Sequence, residues 1–89
     1  RKRVCVVTED IETVRKFIIG KLVRGCTIYT CEGGYSAETK HEIQTLLTQS
    51  EFSELLKFIS DNKIDSFITA GNVSEVYGLW YTDKKRRYK

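Results

Sequence analysis

Two stretches of this chain space their apolar residues as helices do, and four short runs of β-formers surround them. The helical stripes are Ile11, Val14, Phe17, Ile18 and Leu22, then Phe52, Leu55, Leu56 and Ile59, which puts one apolar side on each helix. Before the first stripe stands Val4-Cys5-Val6-Val7, an unbroken apolar run suited to a central strand. Cys26–Cys31 and Glu42–Thr48 lie between the stripes, and Ser66–Ala70 follows the second. The order β-α-β-β-α-β predicts an α+β, ferredoxin-like, two-layer sandwich: two helices on one face of a four-stranded antiparallel sheet.

Local signals set the expected ends of these elements. Asp10 is placed to cap the first helix with its carboxylate, and Glu12 adds negative charge to the first turn. Arg24-Gly25 closes that helix, with Gly25 able to take a left-handed conformation. Ser50 is the expected cap of the second helix, and Asp61-Asn62-Lys63 its end, with Asn62 as the left-handed residue. Asn72 and Glu75 have the spacing of a capping box, which predicts a short C-terminal helix through Val73, Val76 and Tyr77. Helices on one face leave the other face of the sheet open. Tyr29 is expected there, with whichever of Thr27 and Ile28 points the same way, and open apolar faces generally meet a partner or ligand.

With 89 residues the chain has room for one core. No apolar run reaches the ~20 residues of a membrane span, and no signal peptide is evident. The chain has no methionine and opens Arg1-Lys2-Arg3, which reads as a piece of a longer protein. Its net charge of +3 is unevenly placed: residues 1–3 supply +3, residues 83–89 supply +4, and the stretch between carries −4. The domain is therefore expected over 1–82 with an acidic body, and 83–89 as a disordered basic tail. Three cysteines, Cys5, Cys26 and Cys31, do not make a disulfide framework and point to a reducing compartment.

Few residues have the makings of a site. Gly33-Gly34-Tyr35-Ser36 sits in a connection too long for a two-residue hairpin turn. Glycines let backbone amides approach a ligand, Tyr35 can stack on a base, and Ser36 can donate to a phosphate. The alternative is a plain connecting loop. Arg24, at the helix-to-strand junction, reads either as an anion clamp or as a helix-end residue satisfying carbonyls. Glu32, Glu38 and Glu42 surround the loop and oppose an anion unless Arg24 and Lys40 offset them or a divalent cation bridges. Cys26 and Cys31 are five apart and face opposite sides of a strand, which argues against a shared metal site. A Cys31–His41 nucleophile pair lacks an orienting residue. No cofactor motif is present, and Gly-Lys-[Ser/Thr] does not follow the glycines. The tail Lys84–Lys89 could meet nucleic acid or an anionic membrane surface, but no RNA-binding aromatic motif accompanies it.

Arg24-Gly25-Cys26-Thr27-Ile28 and Glu32-Gly33-Gly34-Tyr35-Ser36 resemble the "RGVT…G-x-G-x-Y-[ST]" core of a domain of unknown function. That domain forms the C-terminal, cytosolic end of YitT-family multi-pass membrane proteins. Asp65–Thr69 is similar to the family's "D-x-x-A-F-V-T", and Val73–Gly78 to its "V-x-E-V-x-G". The chain departs from the pattern at Gly78-Leu79-Trp80-Tyr81, where Gly-x-Gly-Phe is usual, and at Ile11, where Pro is common. Its third strand, Glu42–Thr48, replaces a strongly apolar run, so the pattern does not give that strand's burial.

The resemblance implies a fold related to the trimeric PII-like signalling proteins, whose loop between strands two and three helps bind a nucleotide or small anion at subunit clefts. It also implies a non-enzymatic regulatory domain on the cytoplasmic side of the cell membrane, attached to an upstream membrane domain of the same chain. Arg24, Gly25, Thr27, Gly33, Gly34, Tyr35 and Ser36 are the ligand-binding candidates under that reading. The expected partners are a small anionic ligand or nucleotide and further copies of the chain, as a trimer or dimer. An oligomerisation module without a ligand is the alternative, and nucleic acid is disfavoured.

Overall fold

In the computed structural model, residues 1–35 and 39–77 are described. The strands are β1 (Lys2–Thr8), β2 (Thr27–Glu32), β3 (Thr39–Leu47) and β4 (Ser66–Asn72). The helices are α1 (Ile11–Lys16), which runs on as a π-helical turn over Phe17–Lys21, and α2 (Gln49–Asp61). The four strands form one sheet in the order β2-β3-β1-β4, each antiparallel to its neighbours. This is the ferredoxin-like arrangement that the element order predicts. Ser36 and the tail 83–89 lie outside the described residues.

The core follows from strand parity. Val4 and Val6 of β1 and Ile43 and Leu47 of β3 are buried on one face, beneath Val14, Ile18, Leu22, Leu55 and Ile59 of the helical layer. Phe17 of the π turn stacks nearly parallel on Phe58 of α2, with ring centroids 4.1 Å apart. The burial of β3 is alternating rather than continuous, because only one of its faces is covered. Two hydroxyls are buried with the apolar residues, and both are satisfied. Thr45 donates to the Gly25 carbonyl at 2.8 Å. Thr8 donates to the Asp65 carbonyl at 2.8 Å and accepts from the Asp10 amide at 3.1 Å.

The other face is open, and register identifies its residues. Thr27, Tyr29 and Cys31 of β2 pair with Gln44, Glu42 and Lys40 of β3, and Phe67 of β4 pairs with Val7 of β1. Tyr29, Glu42, Val7 and Phe67 therefore form a row across this face. Thr27 shares it with Tyr29, whereas Ile28 pairs with buried Ile43 and points the other way.

Helix ends differ from the sequence reading. Asp10 does cap α1 by position, but its carboxylate accepts the Thr13 hydroxyl at 2.7 Å rather than a backbone amide. Val23 takes a left-handed backbone after the π turn (φ 56°), and the Arg24 amide closes the turn on the Ile18 carbonyl at 3.1 Å. Thr48, not Ser50, caps α2: it accepts the Glu51 amide at 3.2 Å while Glu51 accepts the Thr48 amide at 2.9 Å. After α2 the left-handed residue is Lys63 (φ 53°), and Asn62 instead donates its side chain to the Phe58 carbonyl. The expected short C-terminal helix does not form over 73–77. Asn72 is spent as the last residue of β4, and the Val73 amide extends the ladder by bonding the Arg1 carbonyl at 3.0 Å.

Lys63 occupies the position that glycine favours in this type of helix end, where the Ile64 amide reaches the Ile59 carbonyl and the Lys63 amide reaches that of Ser60. A side chain there opposes the left-handed backbone. Lys63→Gly should therefore stabilise the domain by about 0.5–1 kcal/mol, raising Tm by a few degrees in a thermal melt. An unchanged or lower Tm would count against strain at this position.

Candidate functional site

The predicted site residues fall into two groups at opposite ends of β2. Glu32 pairs with Thr39, so the connection from Gly33 leaves the sheet where β1 finishes and β4 begins. Gly33 is half-buried, Gly34 is exposed, and Tyr35 projects wholly into solvent at 105% relative exposure. Nothing in the fold asks for glycine at 34: an added Cβ meets nothing within 4 Å, and the backbone is not left-handed.

Arg24, Gly25 and Thr27 stand at the other end. A strand of six residues separates the two groups by roughly 20 Å. Arg24 is also engaged. Its Nε lies 2.9 and 3.0 Å from the two Glu51 carboxylate oxygens, and the two side chains are only 12% and 13% exposed. Gly25 gives its carbonyl to Thr45. Thr27 is exposed on the open face. Within one chain the six described candidates do not form one site.

Beside the loop end lies a cleft of about 300 Å³ that the sequence reading missed. Lys40 at the start of β3 and Lys63 after α2 line it, together with Glu9, Asp10, Asp65 and the exposed ring of Phe67. These residues come from four separate connections and strand ends, so no sequence motif groups them. Asn62-Lys63 was visible as a helix end, but its neighbours in space were not. Among the described residues neither lysine forms an ion pair.

The nucleophile and metal candidates separate. Cys31 pairs with Lys40 on the open face, while His41 pairs with Thr30 on the other. Burial pushes the Cys5 thiol up, and the adjacent Glu42 carboxylate adds to that. Burial does the same to Cys26, against a weaker opposing pull from Arg15. Both thiols are thereby held in the protonated, poorly nucleophilic form. Among the described residues no group of three His, Cys, Asp or Glu side chains is arranged to hold a metal.

Residues 24–78 match a family described as "Uncharacterized protein conserved in bacteria (DUF2179)". The chain belongs to this family. Similar proteins include an uncharacterized protein in the cccA 5′ region of Bacillus sp. (strain PS3), 29% identical over 73 residues, covering 82% of this chain and 49% of that protein. The UPF0750 membrane proteins YvjA and YitT of Bacillus subtilis (strain 168) are 25% and 24% identical over 77 and 78 residues. Those matches cover 86% and 88% of this chain but only 27% and 28% of the membrane proteins. This DUF2179 chain thus spans about half of the first relative and under a third of the other two.

Solved structures agree on the fold. A functionally unknown protein from Pediococcus pentosaceus superposes with a TM-score of 0.70 at 10% identity, over 88% of this chain and 95% of that one. A putative PII-like signaling protein from Thermus thermophilus gives 0.64 at 19% identity, over 81% and 84%. A DUF2179 protein from Eubacterium ventriosum gives 0.63 at 11%, over 80% and 99%. The domain is one of the kind found in YitT-type membrane proteins, with a PII-like fold. Among its described residues no helix is long and apolar enough to cross a membrane.

The Arg24–Glu51 geometry gives Arg24 a structural role in this domain. Glu51→Gln keeps the capping geometry but leaves the guanidinium without its counter-charge, and should cost about 2 kcal/mol in urea unfolding. Thr48→Ala, which removes one capping bond, should cost about 1 kcal/mol. Wild-type midpoints for both variants would release Arg24 for another role.

Proposed function

We propose that this domain is a non-enzymatic, ligand-sensing regulatory domain on the cytoplasmic side of a multi-pass membrane protein of the YitT type. Its ligand is a small anion, a nucleotide in the first instance, bound where the β2–β3 loop meets the cleft. The observation that carries this reading is the Gly33-Gly34-Tyr35 segment: the fold places no demand on Gly34 and leaves Tyr35 exposed, and the segment leaves the sheet at the same end as a cleft lined by two lysines. Loops with residues the scaffold does not need are where binding is commonly carried.

Gly33, Gly34, Tyr35 and Ser36 remain the binding loop in this proposal, and Lys40 and Lys63 take the anion-pairing role first given to Arg24. The mixed charge of the cleft bears on ligand class. Glu9 and Asp65 oppose a bare anion, but a base that donates hydrogen bonds can use such carboxylates while its phosphate meets the lysines. Phe67 and Tyr35 offer faces for that base. The non-enzymatic reading rests on the separation of Cys31 from His41 and on the protonated thiols of Cys5 and Cys26. Regulation follows if ligand orders the loop and so favours one state of an attached membrane segment.

The test is a thermal-shift screen of mono-, di- and cyclic nucleotides, with inorganic phosphate as a comparison. A ligand at about 100 times its Kd should add roughly 2.7 kcal/mol, a shift of several degrees. Lys40→Gln, Lys63→Gln and Tyr35→Ala should each reduce the shift while leaving the unliganded Tm near wild type. No shift at millimolar nucleotide, or a shift untouched by these variants, would remove the proposal.

A further inference from the structure

β2 is held by less than any other strand. It stands at one end of the sheet order, so among the described residues no strand pairs with its outer edge. Among the described residues the core draws on β1, β3, both helices and Ile68 of β4, but on nothing from β2. Ile28 points to the helical side yet is 39% exposed, and Tyr29 on the open side is 46% exposed. Both faces of the strand are therefore partly exposed, and among the described residues its outer edge has no neighbouring strand.

The composition of β2 sharpens this. Thr27-Ile28-Tyr29-Thr30-Cys31 is an uncharged run of β-formers, with neither the Lys nor the Pro that commonly blunts an exposed edge. The only charge in the strand is Glu32, at its end. Two such strands side by side and antiparallel, with Tyr29 opposite Tyr29, bring no like charges together, because each Glu32 lies opposite the other copy's Cys26.

We infer that β2 pairs antiparallel with β2 of a second copy of this chain, about a two-fold axis near Tyr29, making one continuous eight-stranded sheet. The missing hydrogen-bond partners of the edge are thereby supplied, and the two open faces join on one side. The arrangement also bears on the divided site. Antiparallel pairing lays the Thr27 end of one copy beside the Gly33–Tyr35 end of the other, so candidates roughly 20 Å apart within a chain become neighbours across the interface. The pairing stands whether or not a ligand binds.

Analytical ultracentrifugation of the 89-residue chain, without ligand, tests it. The expected species is a dimer. Tyr29→Lys places like charges face to face at the axis and should weaken the dimer by roughly tenfold or more, with circular dichroism and Tm showing an intact fold. Phe67→Lys, on β4 at the opposite edge, should leave the dimer unchanged. A wild-type monomer at high micromolar concentration, a trimer, or a dimer lost with Phe67→Lys but kept with Tyr29→Lys would each overturn the inference.

Discussion

The carboxylate of Glu51 ties the two halves of this domain together. It accepts the Thr48 amide at the start of α2 and, from 27 residues earlier in the chain, the Arg24 guanidinium just before β2. One side chain thus fixes where the second helix begins and where the first helix hands over to the second strand. The neighbouring Thr45–Gly25 bond works at the same junction, anchoring β3 to the chain entering β2. A charge-assisted bond at low exposure is stronger than a surface ion pair. The pairs Glu12–Arg15 and Lys57–Asp61, exposed on their helices, contribute far less to stability.

Much of the fold was legible because sheet and helix periods leave different marks. The unbroken apolar run Val4–Val7 marks β1 as the central strand it is, while the structure adds the alternation of burial, Val4, Val6, Ile43 and Leu47 inward, that a sheet covered on one face requires. The polar third strand, which departs from the family pattern, becomes intelligible through Thr45. That residue sits in the core because the Gly25 carbonyl needs a donor there, and a valine of the same shape has none. The placement of Tyr29 on the open face agrees with the sequence reading, whereas the opposed faces of Cys31 and His41 come from the register.

The helix ends were less legible, since several nearby residues compete for each role and tertiary contacts decide. Thr48 and Ser50 can both cap. Thr48 prevails because Glu51 stands three residues on and is itself held by Arg24. Val23 and Lys63 adopt a left-handed backbone although Gly25 and Asn62 tolerate it better. Around the first of these, the π turn inserts a residue before the chain reverses, and the Leu22 amide reaches back to Phe17. No propensity scale anticipates that shift, because the stacking of Phe17 on Phe58 is a contact between residues 41 apart in the chain.

The site illustrates a geometric point about reading motifs across a strand. Arg24-Gly25 and Gly33-Gly34-Tyr35 look adjacent in sequence, and a helix of the same length would keep them on nearby turns. A strand carries them apart at about 3.4 Å per residue. What gathers side chains in this fold is the end of the sheet, where β1 passes into α1, β3 and β4 begin, and Lys40 and Lys63 line one cleft. The lysine at 63 keeps a side chain in a backbone conformation that glycine holds at lower cost. The hydrogen bonds of the helix end are made by backbone amides and the Asn62 side chain, so the lysine side chain supplies none of them. The ammonium at this position lies where it complements the C-terminal dipole of α2 and lines the cleft.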